Sequence, residues 1–228
     1  MHITYNASGA VQAALRKDIT VIVDVIDMST TAEAVLEDGA LAVLGASPDN
    51  IKVPVRVDPI KIGYEAGSIA VKNNTKVIII AEPRYCNPQK RLNRIQSVKK
   101  GLEETGAQLS TVLPNIGAQI NQFSDFNDKV VVIVSNSGGI AFDAAYNQGA
   151  AKVITGTITR TNAKKGVEPI YSAAKRAIKL ANKHTTNITL VAASSNSYED
   201  ILAVDKIATA IIDLGFLDIK QGGIEDHD

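Results

Sequence analysis

Residues 129–148, KVVVIVSNSGGIAFDAAYNQ, set an unbroken β-branched run against a glycine-bearing turn and then a helix-like segment. The run Lys129–Ser135 is apolar on both parities rather than alternating, the pattern of a strand covered on both faces. Five more runs of this kind follow the same rule: Asp18–Ile26, Ala40–Ala46, Thr75–Ala81, Ala151–Thr157 and Asn187–Ala193. Between them the spacing predicts helices over Thr31–Asp38, Lys61–Lys72, Lys90–Thr105, Ile140–Gln148, Glu168–His184 and Glu199–Leu214. Ala174, Ala177, Ile178 and Ala181 return at three- and four-residue spacing, one face of an amphipathic helix. The alternation predicts an α/β fold with a predominantly parallel sheet and helices on both faces. A single domain is expected over residues 1–220, with a polar tail at 221–228.

Composition narrows the function. Of 228 residues 45% are hydrophobic, too many for a disordered chain, and 24 basic residues balance 24 acidic ones. With no net charge, 4% aromatics and no Trp, the footprint of a nucleic-acid binder is missing. The longest apolar runs, such as Val130–Val134, fall far short of the roughly 18 residues a spanning helix needs, so no membrane partner is expected. Met1–Tyr5 carries neither a basic nor an apolar leader, and the lone Cys86 excludes an intramolecular disulfide. A cytoplasmic location follows as the expectation. A small anionic substrate is the expected partner, and a homo-oligomer is left open.

Ligands of parallel sheets collect where strands end and loops turn into helices. After the first run come Asp24, Asp27 and the hydroxyls of Ser29, Thr30 and Thr31. An apolar strand gains little from an unpaired acid, so Asp24 reads as a functional carboxylate. Asp24 and Asp27 suit a hard cation such as Mg²⁺, and the hydroxyls suit an anion at a helix N-terminus. Thr30 and Glu33 also fit a capping box, which competes with that role. The loop Ser135–Gly139 offers Asn136, Ser137 and Gly138 to an anion, with Ser137 as a plain N-cap the competing account. After Ala151–Thr157, the guanidinium of Arg160 offers a phosphate fork. Glu199 and Asp200 open the last helix, where acids are favoured anyway, and gain a metal or catalytic role only by facing Asp24. No Walker A loop occurs, and the three histidines make a Ser–His or Cys–His triad a poor fit. Arg84–Arg91 is a candidate lid.

The run Val23-Asp24-Val25-Ile26-Asp27-Met28-Ser29-Thr30-Thr31, with Glu37-Asp38-Gly39-Ala40 beyond it, resembles the N-terminal signature of the 2-phosphosulfolactate phosphatases. The likeness continues in order through VVVIVSNSGG, AAKVITGTIT and NITLVAASSNSYEDILAVDKIATAII, about half of the chain. Membership would imply a Mg²⁺-dependent phosphatase of coenzyme M biosynthesis, a hydrolase of methanogens and some bacteria. It makes Asp24 the best-matched carboxylate, with Glu199 and Asp200 next. The metal set is then Asp24, Asp27 and Asp200, and the substrate set Ser29, Thr30, Thr31, Asn136, Ser137, Gly138 and Arg160. Asp27 stands where the family carries Arg, and residues 45–125 lack its Gly/Arg-rich and G-F-D-x-G-N-S-P segments. Three readings follow: phosphate-ester hydrolysis, a non-catalytic or regulatory paralogue that binds a small anion or a partner subunit, and another chemistry built on Arg84, Tyr85 and Cys86.

Overall fold

Four apolar runs form strands that are buried at every position: β2 (Ile19–Val23), β4 (Val77–Ala81), β6 (Val130–Val134) and β8 (Ile188–Ala192). They are the inner strands of two four-stranded sheets. Their partners at the edges, β1 (His2–Tyr5), β3 (Ala42–Ala46), β5 (Leu109–Pro114) and β7 (Lys152–Thr155), are all partly exposed. One sheet runs β1-β8-β2-β7 and the other β3-β6-β4-β5, every pairing parallel. The computed structural model describes residues 1–26 and 28–218. Asp27 and the tail at 221–228 therefore lie outside the described residues.

The helices are α1 (Asn6–Leu15), α2 (Met28–Glu37), α3 (Pro59–Lys72), α4 (Pro88–Leu92) and α5 (Gln96–Thr105), followed by α6 (Gly138–Asn147), α7 (Glu168–His184) and α8 (Tyr198–Asp213). Side-chain parity assigns the faces of the first sheet. Ile19, Val21 and Val23 pack with the alanines of α7 and with Val204 and Ile207 of α8, whereas Ile22 joins Ala10 and Ala14 of α1. Each face is thus covered by helices, as the uninterrupted apolar runs require.

The structure departs from the sequence reading at several points, and β1, α1 and β5 are elements that the reading does not contain. The predicted helix 90–105 divides into α4 and α5, and the expected single sheet is two. The edges of β3 and β7 form no ladder with each other; they border an apolar cavity of about 360 Å³ that Phe142 and Tyr146 also line. Runs of valine and isoleucine specify burial, and they do not specify which strand lies beside which.

Backbone contact, rather than side-chain volume, joins α3 to α5. A Cβ on Gly101 would collide with Ile60 O, and one on Gly63 with Val98 O. Gly101→Ala is therefore expected to lower stability by about 2–3 kcal/mol, because only a backbone shift relieves the overlap. Urea titration is the check: a midpoint equal to wild type would show that the helices separate freely.

Candidate functional site

Register puts the carboxyl ends of the strands at common levels. Tyr5, Ala192 and Val23 align in one sheet; Ala46, Val134, Ala81 and Pro114 align in the other. The residue after each strand is then delivered to one end of its sheet, and several of these residues are polar: Asn6, Asp24, Ser47, Glu82, Asn115 and Ser135.

Asp24 joins the two sheets at this end. Its carboxylate is 1% exposed, and Oδ2 accepts both the Ser137 hydroxyl and the Gly138 N–H at 2.7 Å. A Cβ on Gly138 would run into Asp24 Oδ2 and Met28 Sδ, so only glycine lets α6 come this close. No cation is bonded to this acid among the described residues. Burial pushes Asp24 up to about 7, with the charges of Asp200 and Glu82 adding to the rise and the two hydrogen bonds opposing it. Asp200, 2% exposed, accepts the Val25 N–H on Oδ1 at 2.8 Å, and burial raises its pKa as well. Asp24, Ser29, Ser137 and Asp200 are thereby brought together. Glu199 is exposed and acts on Asp200 through its charge.

The residues expected to hold an anion are mostly bonded to protein. Ser29 Oγ donates to Ile22 O at 3.0 Å and accepts Asp24 N at 2.9 Å. Thr30 Oγ1 donates to Val25 O at 2.7 Å and lies 3.0 Å from Thr157 Oγ1; Thr31 Oγ1 donates to Asn115 Oδ1 at 2.5 Å. The capping-box account of Thr30 fails too, because α2 begins at Met28 and Glu33 is held by Arg176 and Lys164. Around the α6 N-terminus, Asn136 N donates to Glu82 Oε2, Gly138 N to Asp24 and Gly139 N to Ser135 Oγ. These amides are committed to side-chain oxygens and do not form the open anion cradle that the glycines suggest. Arg160 is exposed on the loop after β7.

A cavity of about 350 Å³ opens beside Asp24, lined by Asn6–Ser8, Val53, Pro54, Asn136, Ser137, Ile140, Ala193 and Ser194. None of these side chains is ionisable. Ser137 belongs to this wall and to Asp24 at once. Asn136 Oδ1 accepts from Arg94, which carries positive charge to the same wall. Loop 47–58, which supplies Val53 and Pro54, is stapled at both ends by buried Asp143: Ser47 N donates to Oδ2 at 3.0 Å and Asp58 N to Oδ1 at 2.7 Å. Burial raises Asp143 to about 6.

Sequence alone does not point to Glu82, Asn115 or Asp143 as site residues. Glu82 carried the signal that marked Asp24, an acid at the end of an apolar strand. Asn115 was hidden because β5, LSTVLP, is too polar to read as a strand. Of the proposed alternative trio, Tyr85 is 91% exposed and Cys86 Sγ lies 3.6 Å from Pro83 O. In the candidate lid, Arg91 donates to Pro83 O and Arg84 O.

The oxygen chemistry suits a hard cation, and Mg²⁺ commonly takes only one or two carboxylates plus water. Yet Asp24 Oδ2, Asp200 Oδ1 and Glu82 Oε2 are each turned to protein donors, and among the described residues no three Asp, Glu, His or Cys side chains group as a metal site. The described residues as arranged therefore do not form a ready Mg²⁺ cage. In comparison with known proteins, the chain matches no protein-family model and no curated protein.

Proposed function

We propose that the chain hydrolyses a small anionic phosphate monoester at the carboxyl end of β2 and β6. One observation carries this reading: a buried carboxylate with no bonded cation among the described residues, Asp24, reaches through Ser137 to the wall of an open cavity. Structural acids in apolar surroundings are normally paired, and an acid held near neutrality can take and return a proton at working pH. The volume suits a small ester. Arg94, through Asn136, supports negative charge on the ligand, and the uncharged wall accommodates its alcohol portion. Loop 47–58, held by Asp143, contributes Val53 and Pro54 to the wall. Mg²⁺ belongs to the reading as the ion that the resemblance implies, where it would neutralise phosphoryl oxygens.

The test is phosphate release from a panel of monoesters, 2-phosphosulfolactate included, with Mg²⁺ and with EDTA. Release from at least one ester is expected, and its loss in EDTA assigns the metal requirement. The second reading, a protein that binds a small anion or a partner subunit without turnover, is favoured by Asp27, which stands where the resembled family carries Arg. Calorimetric binding of an ester that is never cleaved would replace the first reading with the second.

A further inference from the structure

We propose that Ser137 is the attacking nucleophile of this site and that Asp24 takes its proton, an inference that rests on the phosphate-ester reading. Ser137 occupies the N-cap position of α6, where a serine hydroxyl ordinarily accepts an amide of the first turn. It makes no such bond. The amides of Gly138 and Gly139 go to Asp24 and Ser135, and the Ser137 hydroxyl is turned to Asp24 Oδ2 at 2.7 Å. A nucleophile and its base stand at this distance. Position supports the same assignment. Ser137 lines the cavity while Asp24 lies behind it, shielded from solvent. Ser8 and Ser194 share the wall, and among the described residues neither side-chain hydroxyl is hydrogen-bonded to a carboxylate. Asn136 presents its amide oxygen to Arg94, so its NH₂ is the half left to donate to a phosphoryl oxygen.

The chemistry balances in two steps. Ser137 Oγ forms a bond to phosphorus as the bond from phosphorus to the ester oxygen breaks. The hydroxyl proton passes to Asp24, and the leaving alkoxide, on the far side of phosphorus in line with Oγ, takes a proton from solvent water and departs as the alcohol, leaving phosphoserine. Water then attacks the phosphoserine from the side the alcohol vacated and gives one proton to solvent while the bond from phosphorus to Oγ breaks. Asp24 returns the serine proton to Oγ, and inorganic phosphate leaves with the other proton of the water.

A fluorophosphonate probe reads the nucleophile without knowledge of the substrate. The full chain is treated with the probe, digested and mapped by mass spectrometry, beside phosphate release from 4-nitrophenyl phosphate and the ester panel. An adduct on Ser137 is expected in wild type, absent in Ser137→Ala and formed at least about 100-fold more slowly in Asp24→Asn. Turnover by Ser137→Ala should fall about 10³-fold, and its unfolding midpoint checks that it folds. No adduct on Ser137, or an undiminished labelling rate in Asp24→Asn, overturns the proposal. Turnover by Ser137→Ala at the wild-type rate overturns it too, and leaves ester hydrolysis standing. Labelled Ser137 with no turnover of any ester removes the phosphatase reading and keeps the nucleophile.

Discussion

Glu33→Ala is expected to cost about 3–5 kcal/mol of folding stability, the loss typical of a buried ion network stripped of one partner. Glu33 is fully buried in α2. Arg176 Nη1 and Nη2 donate to Oε1 and Oε2 at 3.0 and 2.6 Å, Lys164 pairs with Oε1, and Ser172 Oγ donates at 3.2 Å. Arg176 also donates to Thr155 O, and Lys164 reaches Glu37 Oε1 at 3.2 Å. One carboxylate thus ties α2 to α7, to the end of β7 and to the loop beyond it. Burial alone would raise the Glu33 pKa, but the hydrogen bonds and charges of Arg176 and Lys164 outweigh it and hold the acid below its usual 4.5. The sign follows from linkage. A depressed folded pKa contributes stability that is present above the unfolded value and lost as pH falls through the folded one. The deficit of Glu33→Ala should therefore be full at neutral pH and shrink below about pH 4. Glu33→Gln, which keeps the shape without the charge, should fall between. Urea unfolding across that range decides the matter, and a deficit under about 1 kcal/mol at neutral pH would show that the network contributes nothing.

The inner strands were legible because burial on both faces leaves only apolar residues, and β2, β4, β6 and β8 carry that mark. Edge strands carry less of it. HITY of β1 exposes three of its four residues to differing degrees, and LSTVLP of β5 is nowhere fully buried, so neither run stood out. Pairing was not legible at all, since Val130–Val134 would fit beside any of the other inner strands. At the site, the type of residue was readable and its partner was not. Asp24 was marked by its cost in an apolar strand, whereas Ser29–Thr31 looked like ligand hydroxyls until their partners, Ile22 O, Val25 O and Asn115, were in view. Ser137 shows the same limit from the other side. As an N-cap its role is local and follows from sequence; as the partner of Asp24 it depends on a contact across 113 residues.

Those partners also tie the loops at the end of the sheets to one another. Asp24 receives Ser137 and Gly138, Glu82 receives Asn136, and Asn115 receives Thr31, so each loop is held by a side chain from another strand. A fixed shell of this kind suits a site where proton transfer needs short, constant distances. It leaves the cavity wall, rather than the loop amides, to recognise the ligand.

Asp24→Asn is expected to abolish turnover and to make the fold more stable at pH 8. The carboxylate is buried with no bonded cation among the described residues, and its pKa rises from the usual 3.8 to about 7. A raised folded pKa means that the stability linked to this group is fully present below about 3.8 and is lost as pH climbs through about 7. Above pH 7 the folded protein carries the whole cost of the buried charge, on the order of 2–4 kcal/mol. Asparagine removes that charge, and its carboxamide oxygen still accepts the Ser137 hydroxyl and the Gly138 N–H. Relief of repulsion at Asp200 adds to the gain. The variant should therefore unfold at a higher temperature than wild type at pH 8, and the difference should close as pH falls toward 4. Calorimetric unfolding at both pH values checks this, with phosphate release measured on the same samples. A less stable variant at pH 8 would mean that the charge is compensated in the folded protein. Repeating the wild-type melt with Mg²⁺ and with EDTA would then show whether a cation supplies that compensation. A stabilised variant without turnover would place Asp24 among groups kept charged for chemistry at the expense of the fold.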